Sequence, residues 1–230
     1  DVWSNPNLKW LDPANGAGTF PFVVIYKLMN GLSEWEPDDE KRYKHIVENM
    51  IYTCELQSRN VFLWLCGVDP KDEYTTNTYW GSFLDEGFDR HMRKVWEVDK
   101  FDVVIGNPPY QSSDNKSNKL WVKFLSKLLP LTENISFVVP ISLMKSESNQ
   151  IKNIREMLST KNNIFNLKYQ DIFDIGEKVV FITSTNGNQT TIIYFDSNSK
   201  QEIDNTQIIN RLPSSIEDNL NRVMQQDMVR

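Results

Sequence analysis

The stretch that most restricts what this chain can fold into is residues 101–111, FDVVIGNPPYQ. Phe101, Val103, Val104 and Ile105 form a short, almost continuously apolar run bounded by Asp and Gly, the pattern of a strand buried on both faces of a parallel sheet. Gly106 permits a sharp bend, and Pro108 and Pro109 fix φ and remove two backbone donors. Asn107, Pro108, Pro109 and Tyr110 therefore make a stiff loop at a strand's carboxyl end, where open α/β sheets place their chemistry. Asn107 offers a side-chain carbonyl and Pro108 a backbone carbonyl, two acceptors on a rigid frame that can hold one NH2 group. Tyr110 adds an aromatic face on which a planar ring can stack.

The rest of the chain supplies a parallel-sheet context. Residues 8–11 read as a strand running into Asp12, Pro13, Ala14, Asn15, Gly16, Ala17 and Gly18, and residues 22–32 as the helix that follows. Gly16 and Gly18 allow a tight turn and a close ligand approach, and an acidic group at the strand end suits a cationic amino group better than a phosphate. A helix is expected over residues 41–48, a second strand over 50–54 with Glu55 at its end, and a helix over 57–65. Glu55 is placed to accept hydrogen bonds from ribose hydroxyls. Residues 77–84 read as a weak third strand with Ser82 and Phe83 at its tip, and 86–100 as a charged connection. Beyond the NPPY loop, helices are expected over 120–129 and 146–158, the latter capped by Ser146 or Ser148, with a strand at 135–139 between them. Residues 179–183 and 190–195, separated by Asn186, Gly187 and Asn188, read as an antiparallel hairpin. A last helix is expected near 215–226.

Composition removes several classes. At 230 residues, 40% hydrophobic and 24% charged, the chain is neither disordered nor fibrous. No apolar run approaches the roughly 20 residues of a membrane span, and the amino-terminal residues lack a signal-peptide pattern, so a cytoplasmic location and no membrane partner are expected. Cys54 and Cys66 lack metal-ligand spacing and read as reduced, buried thiols; no metal site is indicated. The net charge is −6, but between Lys116 and Lys168 nine basic residues face three acidic ones, a stretch that either touches phosphates or forms solvated helix faces.

DPANGAG, an acidic strand end and then IGNPPY resemble an adenine-specific DNA amino-methyltransferase, the S-adenosylmethionine-dependent NPPY class of restriction-modification systems and phages. The resemblance covers roughly residues 8–195 and implies an α/β fold: a doubly wound, mostly parallel sheet with a C-terminal antiparallel hairpin, the Rossmann-like methyltransferase fold. It implies a catalytic domain at 1–196 and a polar extension from 197 to 230. It also implies that Asp12, Pro13, Ala14, Gly16 and Gly18 flank the methionine part of S-adenosylmethionine, Glu55 its ribose, and Ser82 and Phe83 its adenine. Ser82 departs from the acidic residue usual there. The loop Asn107, Pro108, Pro109 and Tyr110 would hold the target amine, with Asn107 also beside the cofactor. Tyr110 and Phe181 would stack on a flipped adenine. DNA is the implied partner, with sequence recognition supplied by a separate or fused domain or a restriction subunit. NPPY also occurs in enzymes that methylate a protein glutamine amide or a ribosomal-RNA guanine amine, and a non-catalytic cofactor-binding module is the reading of another class.

Overall fold

The computed structural model describes residues 1–111, 119–166, 179–193 and 200–205. They fall into two units, the first comprising residues 1–109 and 127–133, the second 110–126 and the residues from 134 onward.

The first unit is a parallel sheet with helical crossovers. Strand β1 (Trp10–Asp12) leads into helix α1 (Thr19–Gly31), then come α2 (Asp39–His45), a π-helical turn (Ile46–Met50), β2 (Ile51–Glu55), α3 (Ser58–Val68), β3 (Asn77–Trp80), α4 (Glu86–Lys94) and β4 (Phe101–Gly106). The strand order is β3-β2-β1-β4. All three pairings are parallel, with Leu11 beside Tyr52 on one side and beside Val104 on the other. Local chemistry sets the helix starts. Gly18 at φ +99° turns the chain into α1, whose Pro21 sits in the first turn where its missing N–H is not needed. Asp38 caps α2 by accepting from the Glu40 and Lys41 amides at 3.0 and 3.1 Å. Trp10, Val24, Leu28, Ile51, Trp64 and Val103 belong to one buried cluster between the sheet and α1 and α3.

Two expectations change here. Residues 86–94 are helix α4, whose Phe88 and Met92 are buried four residues apart, so what reads as a charged connection is an amphipathic helix. Cys54 is buried but Cys66 is exposed, because it lies on the outward stripe of α3 with Arg59, Phe62 and Leu63.

The second unit opens at Tyr110, whose carbonyl accepts from the Leu120 amide at 3.1 Å while Gln111 bridges to Lys119. Helix α5 (Leu120–Leu128), strand β5 (Thr132–Pro140), the short α6 (Ser142–Lys145), α7 (Asn149–Leu158), β6 (Lys161–Asn166), β7 (Val179–Asn186), β8 (Gln189–Ile193) and β9 (Lys200–Asp204) follow. Here the strand order is β5-β7-β6-β8-β9.

The expected hairpin is not present. The strands flanking Asn186–Asn188 form, yet β6 lies between them, antiparallel to β7 and parallel to β8. Residues 161–166, KNNIFN, carry few strand-forming side chains, so nothing local announces the strand that separates the other two. The antiparallel character of this region comes instead from β5 with β7 and from β8 with β9. Strand β9 lies within the segment read as a polar extension. The expected helix near 215–226 lies outside the described residues.

Candidate active site

The site is built where β1, β2 and β4 end. Asp12 closes β1 and is 3% exposed. Its Oδ1 accepts from the Ala14 amide at 3.1 Å, and its Oδ2 is buried with no hydrogen-bond partner among the described residues. Burial, with Glu55 nearby, outweighs the Ala14 bond and pushes the Asp12 carboxyl up to about 7. At Gly106, the end of the neighbouring strand β4, a Cβ would stand 2.9 Å from Asp12 Oδ1, so any larger residue would have to displace this carboxylate. The strand end carrying the NPPY loop is thereby packed onto the acidic residue of the first turn.

That turn is held from β2. The Asn15 amide donates to the Cys54 carbonyl at 3.1 Å, the Gly16 amide to Glu55 Oε2 at 2.9 Å, and the Gly18 amide to the Asn15 carbonyl at 2.8 Å. Glu55 Oε1 meanwhile accepts from the Gln57 amide at 2.7 Å. Asn60 Nδ2 donates to the same oxygen at 3.5 Å, so Glu55 orients the cradle before any ligand is present, and Oε2 keeps a lone pair for a further donor. Gly16 sits at φ +55°, and a Cβ there would meet nothing within 4 Å. Backbone faces open space at the turn, the condition for close approach of a ligand. Gly18 differs: a Cβ would strike the Trp64 ring, so this glycine serves helix packing as well as its positive φ.

Asn107 follows β4 directly, and its Oδ1 is buried without a hydrogen-bond partner among the described residues. Pro108 is buried and Pro109 exposed. Asp12 and Asn107, at the ends of adjacent parallel strands, thus both present a buried acceptor oxygen that lacks a donor among the described residues. Such oxygens are costly to leave unmet, and a bound group rich in N–H donors would satisfy them.

The remaining expected residues are distributed as follows. Phe83 is 1% exposed, its ring against Phe88 and under Lys127 Nζ at 5.0 Å. Ser82 Oγ accepts from the Leu84 amide at 3.1 Å. Tyr110 and Phe181 belong to the second unit; both are half-buried, and Phe181 pairs with Val138 on β5 and Asn166 on β6. Sequence reasoning passed over two exposed apolar residues beside Glu55: Leu56, immediately after it, and Trp80 at the end of β3, whose indole N–H donates to the Leu56 carbonyl at 3.3 Å. The available signal was a large apolar side chain just past an acidic strand end.

The basic stretch is partly structural. Arg155 is 3% exposed and donates to the Leu143 and Ser146 carbonyls at 3.0 and 2.8 Å. Lys127 pairs with Asp89 at 2.9 Å, and Lys152 with Glu147. Lys123 is exposed, while Lys116 and Lys168 lie outside the described residues.

Comparison with solved structures defines the class of fold. The M protein of the type I restriction enzyme EcoKI matches with a TM-score of 0.63 at 15% identity, over 82% of this chain and 44% of that one. The type ISP restriction-modification enzyme LlaBIII, solved bound to DNA, matches at 0.64 and 12% identity, over 90% and 18%. A putative class I S-adenosylmethionine-dependent methyltransferase from Listeria monocytogenes matches at 0.53 and 14%, over 91% and 66%. The fold is the Rossmann-like α/β fold of methyltransferases. Residues 36–181 match the Eco57I restriction-modification methylase family, and the chain belongs to that family. An uncharacterized adenine-specific methylase of Mycoplasma pneumoniae is 24% identical over 233 residues, 71% of this chain and 55% of the relative. The chain thus spans about half the length of the curated relative it matches.

Proposed function

We propose that this chain transfers a methyl group from S-adenosylmethionine to the exocyclic amine of adenine in DNA, as the modification activity of a restriction-modification system. The observation that carries the reading is a pair of buried oxygens with no donor among the described residues, Asp12 Oδ2 and Asn107 Oδ1, at the ends of adjacent strands, one in a glycine turn and one in NPPY. Membership of a restriction-modification methylase family supports the methyl-transfer chemistry, and the adenine-specific description of the Mycoplasma relative supports adenine.

The residues fit the cofactor. Asp12 would accept from its cationic amino group, the open backbone at Gly16 would admit its chain, Glu55 would take a ribose hydroxyl, and Leu56 with Trp80 would offer apolar surface to a base. When bound, S-adenosylmethionine supplies an activated methyl group on a sulfonium. Asn107 Oδ1 and the Pro108 carbonyl would each accept one hydrogen of the target amine. Drawing on both hydrogens shifts electron density onto the amine nitrogen and favours the pyramidal geometry from which it attacks. As the N–C bond to the methyl forms and the C–S bond breaks, the amine nitrogen becomes cationic. Those two carbonyl oxygens stabilise that charge, and one proton then leaves the nitrogen to solvent. Tyr110, two residues beyond Pro108, would stack on the extruded base. Exposed lysines such as Lys123 would touch DNA phosphates.

The test is transfer of labelled methyl from S-adenosylmethionine to duplex DNA, ribosomal RNA and a glutamine-bearing protein substrate in parallel, with the modified nucleoside identified by mass. N6-methyladenine in DNA alone is expected. Label in the RNA or protein alone would overturn the adenine reading, and no label with any substrate, despite cofactor binding, would leave a binding module.

A further inference from the structure

Helices α1 and α3 carry apolar residues on the side facing away from the sheet as well as on the side facing it. Each links one parallel strand to the next, so the two run in the same direction on one face of the sheet. Phe22 joins them: its ring centroid lies 5.0 Å from that of Trp64, and a Cβ on Gly67 would stand 2.6 Å from Phe22 Cζ. Val24, Ile25 and Leu28 of α1 and Trp64 and Val68 of α3 are buried in the cluster against the sheet. The outer stripe is apolar too. Phe22, Val23 and Tyr26 on α1 are 37%, 51% and 70% exposed, and Phe62 and Leu63 on α3 are 66% and 45% exposed, with the exposed Cys66 on the same stripe. Lys27 and Arg59 are the only charged residues of the thirteen in α1 and the eleven in α3. Helix α4 of the same unit shows the solvated alternative, since its four exposed residues, Glu86, Arg90, Arg93 and Lys94, are all charged. A helix that is apolar all round is one that is covered on all sides.

We propose that this face is an interface with a second copy of the chain, α1 and α3 of one copy packing antiparallel on α1 and α3 of the other about a two-fold axis. Size and charge select this occupant. At these exposed fractions the three aromatic rings and the aliphatic side chains beside them leave about 500 Å² of apolar surface, at the upper end of what a monomer shows. The exposed rim of Thr19, Lys27, Asn30, Ser58 and Arg59 brings the face to the roughly 800 Å² that each partner gives to a standard interface. Charge sorts along the helices. Arg59 stands in the first turn of α3, at the positive end of its dipole, and Lys27 is drawn to the Trp3 ring at 5.4 Å. The exposed Glu34 follows the carboxyl end of α1, and the exposed Asp72 and Glu73, beside Lys71, follow that of α3. Antiparallel packing sets the Arg59 end of each copy over the acidic end of the other, whereas parallel packing would set like over like.

The experiment is sedimentation equilibrium of the chain over a range of concentrations, with melting recorded for every variant. The wild-type chain is expected to dimerise with a dissociation constant of about micromolar or tighter. Tyr26→Glu and Phe62→Glu, each at an exposed position, are expected to keep cooperative melting and to weaken the dimer by about thirtyfold or more. Arg59→Glu is expected to weaken it as well, and adding Asp72→Lys and Glu73→Lys to that variant to restore it, the signature of an antiparallel arrangement. Cys66 supplies a readout that needs no variant, because the other thiol, Cys54, is buried. Alkylation of Cys66 by N-ethylmaleimide should slow as the wild-type concentration rises through the dissociation constant. A monomer at every concentration, a dimer that Tyr26→Glu and Phe62→Glu leave intact, or Cys66 alkylation that does not change with concentration overturns the proposal. A dimer that Arg59→Glu leaves unchanged or tightens overturns the antiparallel arrangement.

Discussion

Replacing Asp12 by Asn tests the electrostatics of the site without the complication of catalysis. Burial holds the Asp12 carboxyl at about 7 against an ordinary 3.8. Between those values the folded chain keeps a proton that the unfolded chain has released. This group therefore favours the folded state fully below about pH 4, and the contribution is lost as pH rises to 7. Roughly three units at 1.36 kcal/mol each give about 4 kcal/mol of stability lost across that window. Asn has the same shape and no titration. The assay is urea unfolding of unliganded wild-type and Asp12→Asn protein at intervals from pH 4.5 to 8.5, taken as a difference so that the other carboxylates cancel. The variant is expected to gain on the wild type steadily up to about pH 7 and then to run parallel to it. A cationic ligand reverses the sense, because it stabilises the ionised form. Wild-type affinity for S-adenosylhomocysteine should rise with pH through about 7 and level off, and Asp12→Asn should show weak, pH-independent binding. A stability difference that stays flat with pH, or that favours the wild type as pH rises, would refute the argument.

Three further outcomes are expected. Asn107→Ala should leave S-adenosylhomocysteine affinity nearly unchanged in calorimetry and lower single-turnover methyl transfer by about a hundredfold or more, because it deletes an acceptor used in the transition state. Gly18→Ala should destabilise the fold in urea by at least about 1–2 kcal/mol, since an L residue is strained at φ +99° and its Cβ meets Trp64. Arg155→Met should cost about 2–4 kcal/mol by leaving the Leu143 and Ser146 carbonyls without their donor, with the salt dependence of DNA binding unchanged; a phosphate contact would instead reduce that slope by about one.

Several parts of this protein are written in short stretches of sequence. The apolar run before Gly106 forms β4, the DPANGAG segment forms the turn between β1 and α1, and Glu55 ends β2, because periodicity, glycine φ and proline geometry act over a few residues. Those three segments also contain the oxygens on which the candidate site rests. Other features depend on partners far away in the chain. Asn186–Asn188 has the chemistry of a hairpin turn, but the pairing of β6 with both β7 and β8 decides that the flanking strands do not meet. Arg155 looks like a member of a basic surface until the carbonyls of Leu143 and Ser146 draw it inside. Asn15 reads as one more turn-forming residue, and only the contacts of its other polar groups with Cys54, Gly16 and Gly18 leave a single oxygen free. By itself the sequence determined the parallel α/β core, the glycine turn and the NPPY loop, since each follows from local backbone preference. Strand order in the second unit, the burial of Arg155 and the unmet acceptors at Asp12, Asn15 and Asn107 were decided by tertiary structure, because pairing and hydrogen-bond satisfaction depend on which distant groups arrive beside a residue.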